Sequence, residues 1–261
     1  MELLKSKMKK EILKQLFTTL FVFLYAFLFS QVDSKNITYS NQQWLQCYNR
    51  LKLSEKYTLV SDGSFRWKNE LKDYSLALLR TGISYNFYEN NSAAIGIAST
   101  LSYSADKMSK MELRGWQEFI LNQAIARLNI SNRIRLEERY FKNIANNEFS
   151  SGYNFNYRFR YRFFISIPLN NNIIKERTIS VNIGDEIFIN FGKEIIYNLF
   201  DNNRIIAGLS YQLNKKTSVS LNYTNQFTQT KKVNSFEEND IFWLSLTHNT
   251  SFNKKGKEIK S

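Results

Sequence analysis

The side chains able to do chemistry are few. His248 is the only histidine and Cys47 the only cysteine among 261 residues. A disulfide within the chain, a cysteine-based metal site and a Cys/His nucleophilic pair are therefore out of reach. A serine hydrolase would have to combine His248 with Asn249 and Ser251. On a strand, His248 shares a face with Leu246, whereas Ser245, Asn249 and Ser251 point the other way, so base and nucleophile are parted. Glu112, Glu137 and Glu186 are the carboxylates that an acid–base pair of the glycosidase kind would need. Each lies among arginines of its own parity, which keep a carboxylate ionised and suit a salt bridge better than a proton donor. There is no Gly-rich phosphate loop. The expectation is a protein that is not an enzyme and carries no cofactor or metal.

What remains is electrostatic. The chain carries +13 at pH 7. Five Lys against two Glu fall in the first thirty residues, which leaves about +10 for the rest. A basic balance first suggests nucleic acid or an acidic surface. The placement of the arginines gives a different reading, because they recur on one parity of alternating segments. That parity holds Arg50, Arg66, Arg80, Arg114, Arg133, Arg135, Arg139, Arg158, Arg160, Arg162 and Arg204, together with Glu112, Glu118, Glu137 and Glu186.

The elements that must position these residues are strands. Tyr153, Phe155, Tyr157, Phe159, Tyr161 and Phe163 occupy one parity of a single stretch, and Asn154, Asn156, Arg158, Arg160 and Arg162 occupy the other. Successive strand residues face opposite ways, so one face is aromatic and the other is amide and guanidinium. The same alternation marks 80–87, 95–103, 181–191, 204–212 and 218–227, with further candidates at 44–53, 57–68, 111–123, 130–141 and 240–252. These are eleven segments, most of ten residues or more, as tilted membrane strands must be. Abundant Phe (21) and Tyr (15) favour strands, and with only nine Gly the turns fall largely to Asn and Ser.

Residues 1–30 read as a secretory signal peptide: a lysine-rich start, the apolar run Leu16–Phe29, then Ser30-Gln31 and an abrupt change to polar sequence. No long apolar run follows, which excludes a bundle of membrane helices. Residues 31–253 are then read as an antiparallel transmembrane β-barrel, and 254–261 as a basic tail. A secreted soluble β-protein is the competing reading. Short links are expected at 53–56, 90–92, 128–129 and 214–216, and longer ones at 69–75, 104–110, 143–151, 192–203 and 229–239; the long link 169–177 breaks the alternation. Barrels of this type have even strand numbers as a rule. The expected count is therefore ten, if 44–53 lies outside the wall, or twelve, if 33–41 adds a strand.

The pieces Glu112-Leu-Arg114, Arg133-Ile-Arg-Leu-Glu-Glu-Arg139, Asp185-Glu-Ile-Phe-Ile-Asn190 and Phe200-Asp-Asn-Asn-Arg204, with Trp44 ahead of them, resemble an uncharacterised outer-membrane β-barrel family of Bacteroidetes (domain of unknown function 2490). The resemblance covers roughly 42–228. It implies a barrel with no established activity and carries over no catalytic residues.

The sequence thus leads to an all-β, antiparallel transmembrane barrel of about 10–12 strands in the bacterial outer membrane. Aromatic residues face lipid. The lumen is lined by a charge network of Arg80, Glu112, Arg114, Arg133, Arg135, Glu137, Arg139, Arg158, Arg160, Arg162, Glu186 and Arg204. That network is read as a structural plug of paired charges, with a narrow anion or small-solute pore as the alternative and an outer-membrane hydrolase as a weak third. The expected partners are outer-membrane lipid, the barrel-assembly machinery during biogenesis and an anionic solute; nucleic acid is not expected.

Overall fold

The computed structural model describes residues 35–252 apart from 89, 90, 106, 146, 147 and 150. The expected signal peptide and basic tail lie outside the described residues. Twelve strands and no helix make up the described part: β1 (Asn36–Lys52), β2 (Tyr57–Lys68), β3 (Asp73–Tyr88), β4 (Asn91–Ser104), β5 (Lys107–Ile125), β6 (Leu128–Ala145), β7 (Glu148–Phe149), β8 (Asn154–Pro168), β9 (Ile179–Phe191), β10 (Phe200–Gln212), β11 (Thr217–Gln229) and β12 (Ser235–Ser251). The two-residue β7 pairs only with the end of β6; the other eleven close into a barrel, with β5 pairing β6 and β1 pairing β12.

Closure decides the strand count. Ten neighbouring pairs are antiparallel, but β1 and β12 run parallel in continuous register from Asn36↔Ser235 to Lys52↔Ser251. The barrel therefore has an odd number of strands, contrary to the even count expected. Residues 36–41 and 44–52 belong to one strand, so neither the additional strand nor the strand outside the wall exists. Asn36–Asn41 pair with β12 alone, and β2 joins only from Gln42 onward.

The register also fixes the shape. Stepping through paired residues from Lys52 by way of Thr58, Ser84, Ala94, Glu118, Arg135, Arg160, Phe188, Asn202, Thr228 and Glu237 returns to β1 at Thr38, 14 positions from the start. With about 3.3 Å per residue and about 4.8 Å between strands, that stagger over eleven strands gives a tilt of about 40° and a backbone radius of about 11 Å. A tube of this width is spanned by long side chains reaching in from opposite walls.

The links are more even than the sequence suggested. The expected loop at 104–110 is largely strand, since Ser104 already pairs with Lys107, and that at 69–75 spans only 69–72. Strand pairing continues through polar residues that read as loop. The 69–72 turn has three successive left-handed residues, Asn69, Glu70 and Leu71 (φ 52°, 59° and 69°). β1 supports it: the Glu70 and Leu71 amides donate to Asn41 Oδ1 (3.1 Å) and Gln43 Oε1 (3.0 Å). The 169–178 link is long, as its sequence implied.

Candidate functional site

The inner face is mainly polar. Among the described residues the buried set has eight apolar side chains against twenty-six polar or charged ones such as Glu112, Glu137, Glu186, Arg135 and Asn190. The outer face is the reverse, with Leu79, Ile95, Ile97, Phe119, Ile183, Ile205 and Phe242 each more than half exposed. A soluble barrel places these classes the other way round.

The twelve residues named from the sequence lie on the inward parity of their strands, and among the described residues each of them except Arg162 joins an ion pair. Glu112 accepts from Arg114 Nε (2.5 Å) and Arg139 Nε (2.6 Å). Glu118 accepts from Arg135 through Nε (2.8 Å) and Nη2 (2.5 Å). Glu137 receives Nε and Nη2 of Arg158 (2.8 and 2.5 Å) and Nη1 of Arg160 (2.7 Å). Glu186 receives Arg133 Nη2 (2.5 Å) and Arg160 Nε and Nη2 (3.0 and 2.7 Å), with Arg204 Nη1 at 3.9 Å. Since Arg133 Nε is also 4.0 Å from Glu118, a continuous series runs Arg135–Glu118–Arg133–Glu186–Arg160–Glu137–Arg158. Forked guanidinium–carboxylate bonds of this kind offset the cost of taking both charges out of water.

Two acidic members escaped the sequence reading. Asp62 holds Arg80 (2.6 Å) and accepts from Gln46 Nε2 (2.7 Å); its inward parity on the segment 57–68 was the signal available. Asp201 receives Arg158 Nη1 (2.9 Å) and Asn190 Nδ2 (3.0 Å). It sits in a register shift between Phe200 and Asn202. A bulge re-aims a side chain against simple alternation, so parity could not find it.

The reading of aromatics as an outer feature needs correction. Trp44, Trp116 and Phe188 are buried in the lumen at 3%, 2% and 1% exposure. Their ring faces carry arginines: Arg66 and Arg204 lie 3.7 and 5.0 Å from the Trp44 centroid, Arg135 lies 5.0 Å from Trp116, and Arg160 lies 4.4 Å from Phe188. The negative ring face attracts cations; Arg135, Arg160 and Arg204 have a carboxylate within ion-pair distance as well, whereas Arg66 has none among the described residues. Trp116 fits because the facing pair Gly82 and Gly96 leaves its ring room, and a Cβ at either would overlap it.

Eleven arginines line the two inner cavities (Arg50, Arg80, Arg133, Arg135 and Arg162 in one; Arg66, Arg114, Arg139, Arg158, Arg160 and Arg204 only in the other). Six carboxylates face them: Asp62, Glu112, Glu118, Glu137, Glu186 and Asp201. The cavities, about 320 and 220 Å³, share Tyr48, Arg80, Arg133, Arg162 and Trp243 in their linings, so this layer stands between them. A mouth of about 670 Å³ at the 53–56 and 169–178 end adjoins the larger one through Arg50 and Phe164.

The enzyme candidates do not assemble. His248 is on the outer face, its Nδ1 3.1 Å from Thr217 Oγ1. Glu112, Glu137 and Glu186 are each held by two or more arginines. Among the described residues no group of three or more His, Cys, Asp or Glu could hold a metal ion.

Fold and lumen together define an all-β protein of one closed barrel, apolar outside and ion-paired inside. Residues 41–237 match the model of a protein family of unknown function, DUF2490, and the chain belongs to that family. No curated protein and no solved structure matches it. The segments 112–114, 133–139, 185–190 and 200–204 on which the sequence resemblance rested supply nine members of the network: Glu112, Arg114, Arg133, Arg135, Glu137, Arg139, Glu186, Asp201 and Arg204.

Proposed function

We propose that the protein is a bacterial outer-membrane β-barrel whose lumen is closed at mid-height by buried ion pairs, so that it acts as a membrane scaffold rather than an open channel. The inverted burial carries this reading: charged groups inside and exposed apolar side chains outside suit a wall facing hydrocarbon. Rings cluster near both ends of the strands, as at a lipid interface. Phe65, Trp67, Tyr74 and Tyr103 pack together at one end, and Tyr57 lies against Tyr85 (5.4 Å) at the other. Residues 1–30 would direct export, and the barrel-assembly machinery would insert the chain among outer-membrane lipid.

Membrane fractionation with gel mobility before and after boiling tests the reading. The protein should sediment with outer membranes and migrate faster unheated; recovery in the soluble periplasmic fraction would overturn it. The excess of arginine over carboxylate favours an anion pore as the second reading. Refolded protein in planar bilayers should give no conductance steps if the ion pairs close the lumen. Anion-selective steps would establish the pore instead.

A further inference from the structure

The larger inner cavity is unbalanced in charge. Its lining includes five arginines but only Asp62 and Glu118 as carboxylates. Asp62 is taken by Arg80 (2.6 Å) and Glu118 by Arg135 (2.5 Å). Arg133 has its closest carboxylate in Glu186, at 2.5 Å. Among the described residues Arg162 has no carboxylate within ion-pair distance, although Glu186 is its cross-strand neighbour, because Glu186 is already shared among Arg133, Arg160 and Arg204. The buried Arg162 Nε has no acceptor among the described residues. A guanidinium keeps its proton in any such setting, so this charge persists and calls for an anion.

The rest of the lining suits a ligand with an apolar body. Trp116, Trp243, Tyr48 and Phe164 contribute rings, and Ile206 and Val60 aliphatic surface. At about 320 Å³ the space is at the lower end for small-molecule sites. Access comes from the mouth at the 53–56 and 169–178 end, where Arg50 is exposed and lines both spaces.

We propose that this cavity is a binding site for a small organic anion, with a carboxylate or phosphate head on Arg162 and a flat apolar body among the Trp116, Trp243 and Phe164 rings. The assignment rests on the reading of the lumen as closed, which makes the cavity a dead-end pocket rather than a segment of a conduit.

Calorimetric titration of refolded barrel in neutral micelles, corrected for empty micelles, tests it. The probes are 2-naphthoate, 1-naphthyl phosphate, inorganic phosphate and uncharged 2-naphthalenemethanol. Saturable binding of one or both aromatic anions is expected, at least tenfold tighter than inorganic phosphate or the alcohol, and the better anion identifies the head group. Arg162→Gln should weaken that binding tenfold or more while keeping heat-modifiable mobility, and Lys215→Gln, in the exposed 213–216 turn, should leave it unchanged. The proposal falls if the alcohol binds as well as the anions, if no anion binds, or if R162Q binds like the parent. Should R162Q not fold, the ranking of the four probes on the parent protein still decides. A folded barrel that binds nothing overturns the site and leaves the scaffold reading intact, whereas anion-selective conductance overturns the scaffold reading.

Discussion

At the residue scale the lumen is a problem of shared carboxylates. Glu186 is 2% exposed and lies among three arginines. Removing its charge leaves Arg133 and Arg160 facing one another with one acceptor fewer. Breaking a buried ion pair by removing one partner costs about 3–5 kcal/mol. Glu186→Gln should therefore lower the urea midpoint of the refolded barrel, followed by tryptophan fluorescence, by the equivalent of about that amount. A midpoint within experimental error of the parent would mean that the network contributes nothing to stability. Gly96 carries a steric prediction of a different kind. A Cβ there would overlap the Thr81 carbonyl oxygen and the Trp116 ring. Gly96→Ala should cost about 1–3 kcal/mol by overpacking and shift Trp116 emission; the outward-facing Ala93→Ser is the control and should do neither.

At the element scale the parallel pair β1–β12 is the feature that closes the wall, and the single native cysteine allows a clean test. Cys47 is opposite Leu246, and both are on the outer face. Directly opposed parallel neighbours fall within the Cα separation that a disulfide accepts. Leu246→Cys should oxidise to an intramolecular disulfide, seen as a mobility change of boiled, non-reduced protein. Leu244→Cys, two positions along the same face, is too far from Cys47 and should not. Equal cross-linking of the two, or none in either, would mean that β1 and β12 are not in this register. The same strands mark how far the sequence was legible. Alternation located eleven segments, and the wall has eleven strands. The even-number expectation replaced that count by ten or twelve, because a parallel closure leaves no trace in the period of either strand. Parity also separated inner from outer positions wherever a strand is regular, which placed Arg158, Arg160 and Arg162 together on one face. It failed where regularity fails, as at the bulge carrying Asp201. It could not assign Trp44 or Trp116 to the lumen through hydrophobicity alone, because a ring inside this barrel packs on guanidinium rather than on other apolar groups. Nor could it name the partners of Glu186, which come from β6, β8 and β10 and depend on the register of these neighbouring strands.

At the scale of the whole molecule the odd count has a consequence that no single strand displays. In an even-stranded barrel both ends of the wall's chain emerge at the same mouth. Here Asn36 begins at the mouth formed by the 69–72, 192–199 and 230–234 links, and Ser251 finishes at the mouth formed by 53–56, 169–178 and 213–216. Link length discriminates poorly between these mouths, since 69–72 and 213–216 are equally long and the ten-residue link 169–178 lies at the second. In a membrane the two ends of the strand series must then face different compartments. An epitope inserted before Lys35 and another after Phe252 should differ in accessibility on intact cells: one reached by antibody or added protease, the other only after the outer membrane is permeabilised. Which one is reached also tells which compartment the Arg50 mouth opens to, and hence where an anion entering the larger cavity would come from. If both epitopes are reached from the same side, the β1–β12 closure is wrong and an even-stranded wall has to replace it.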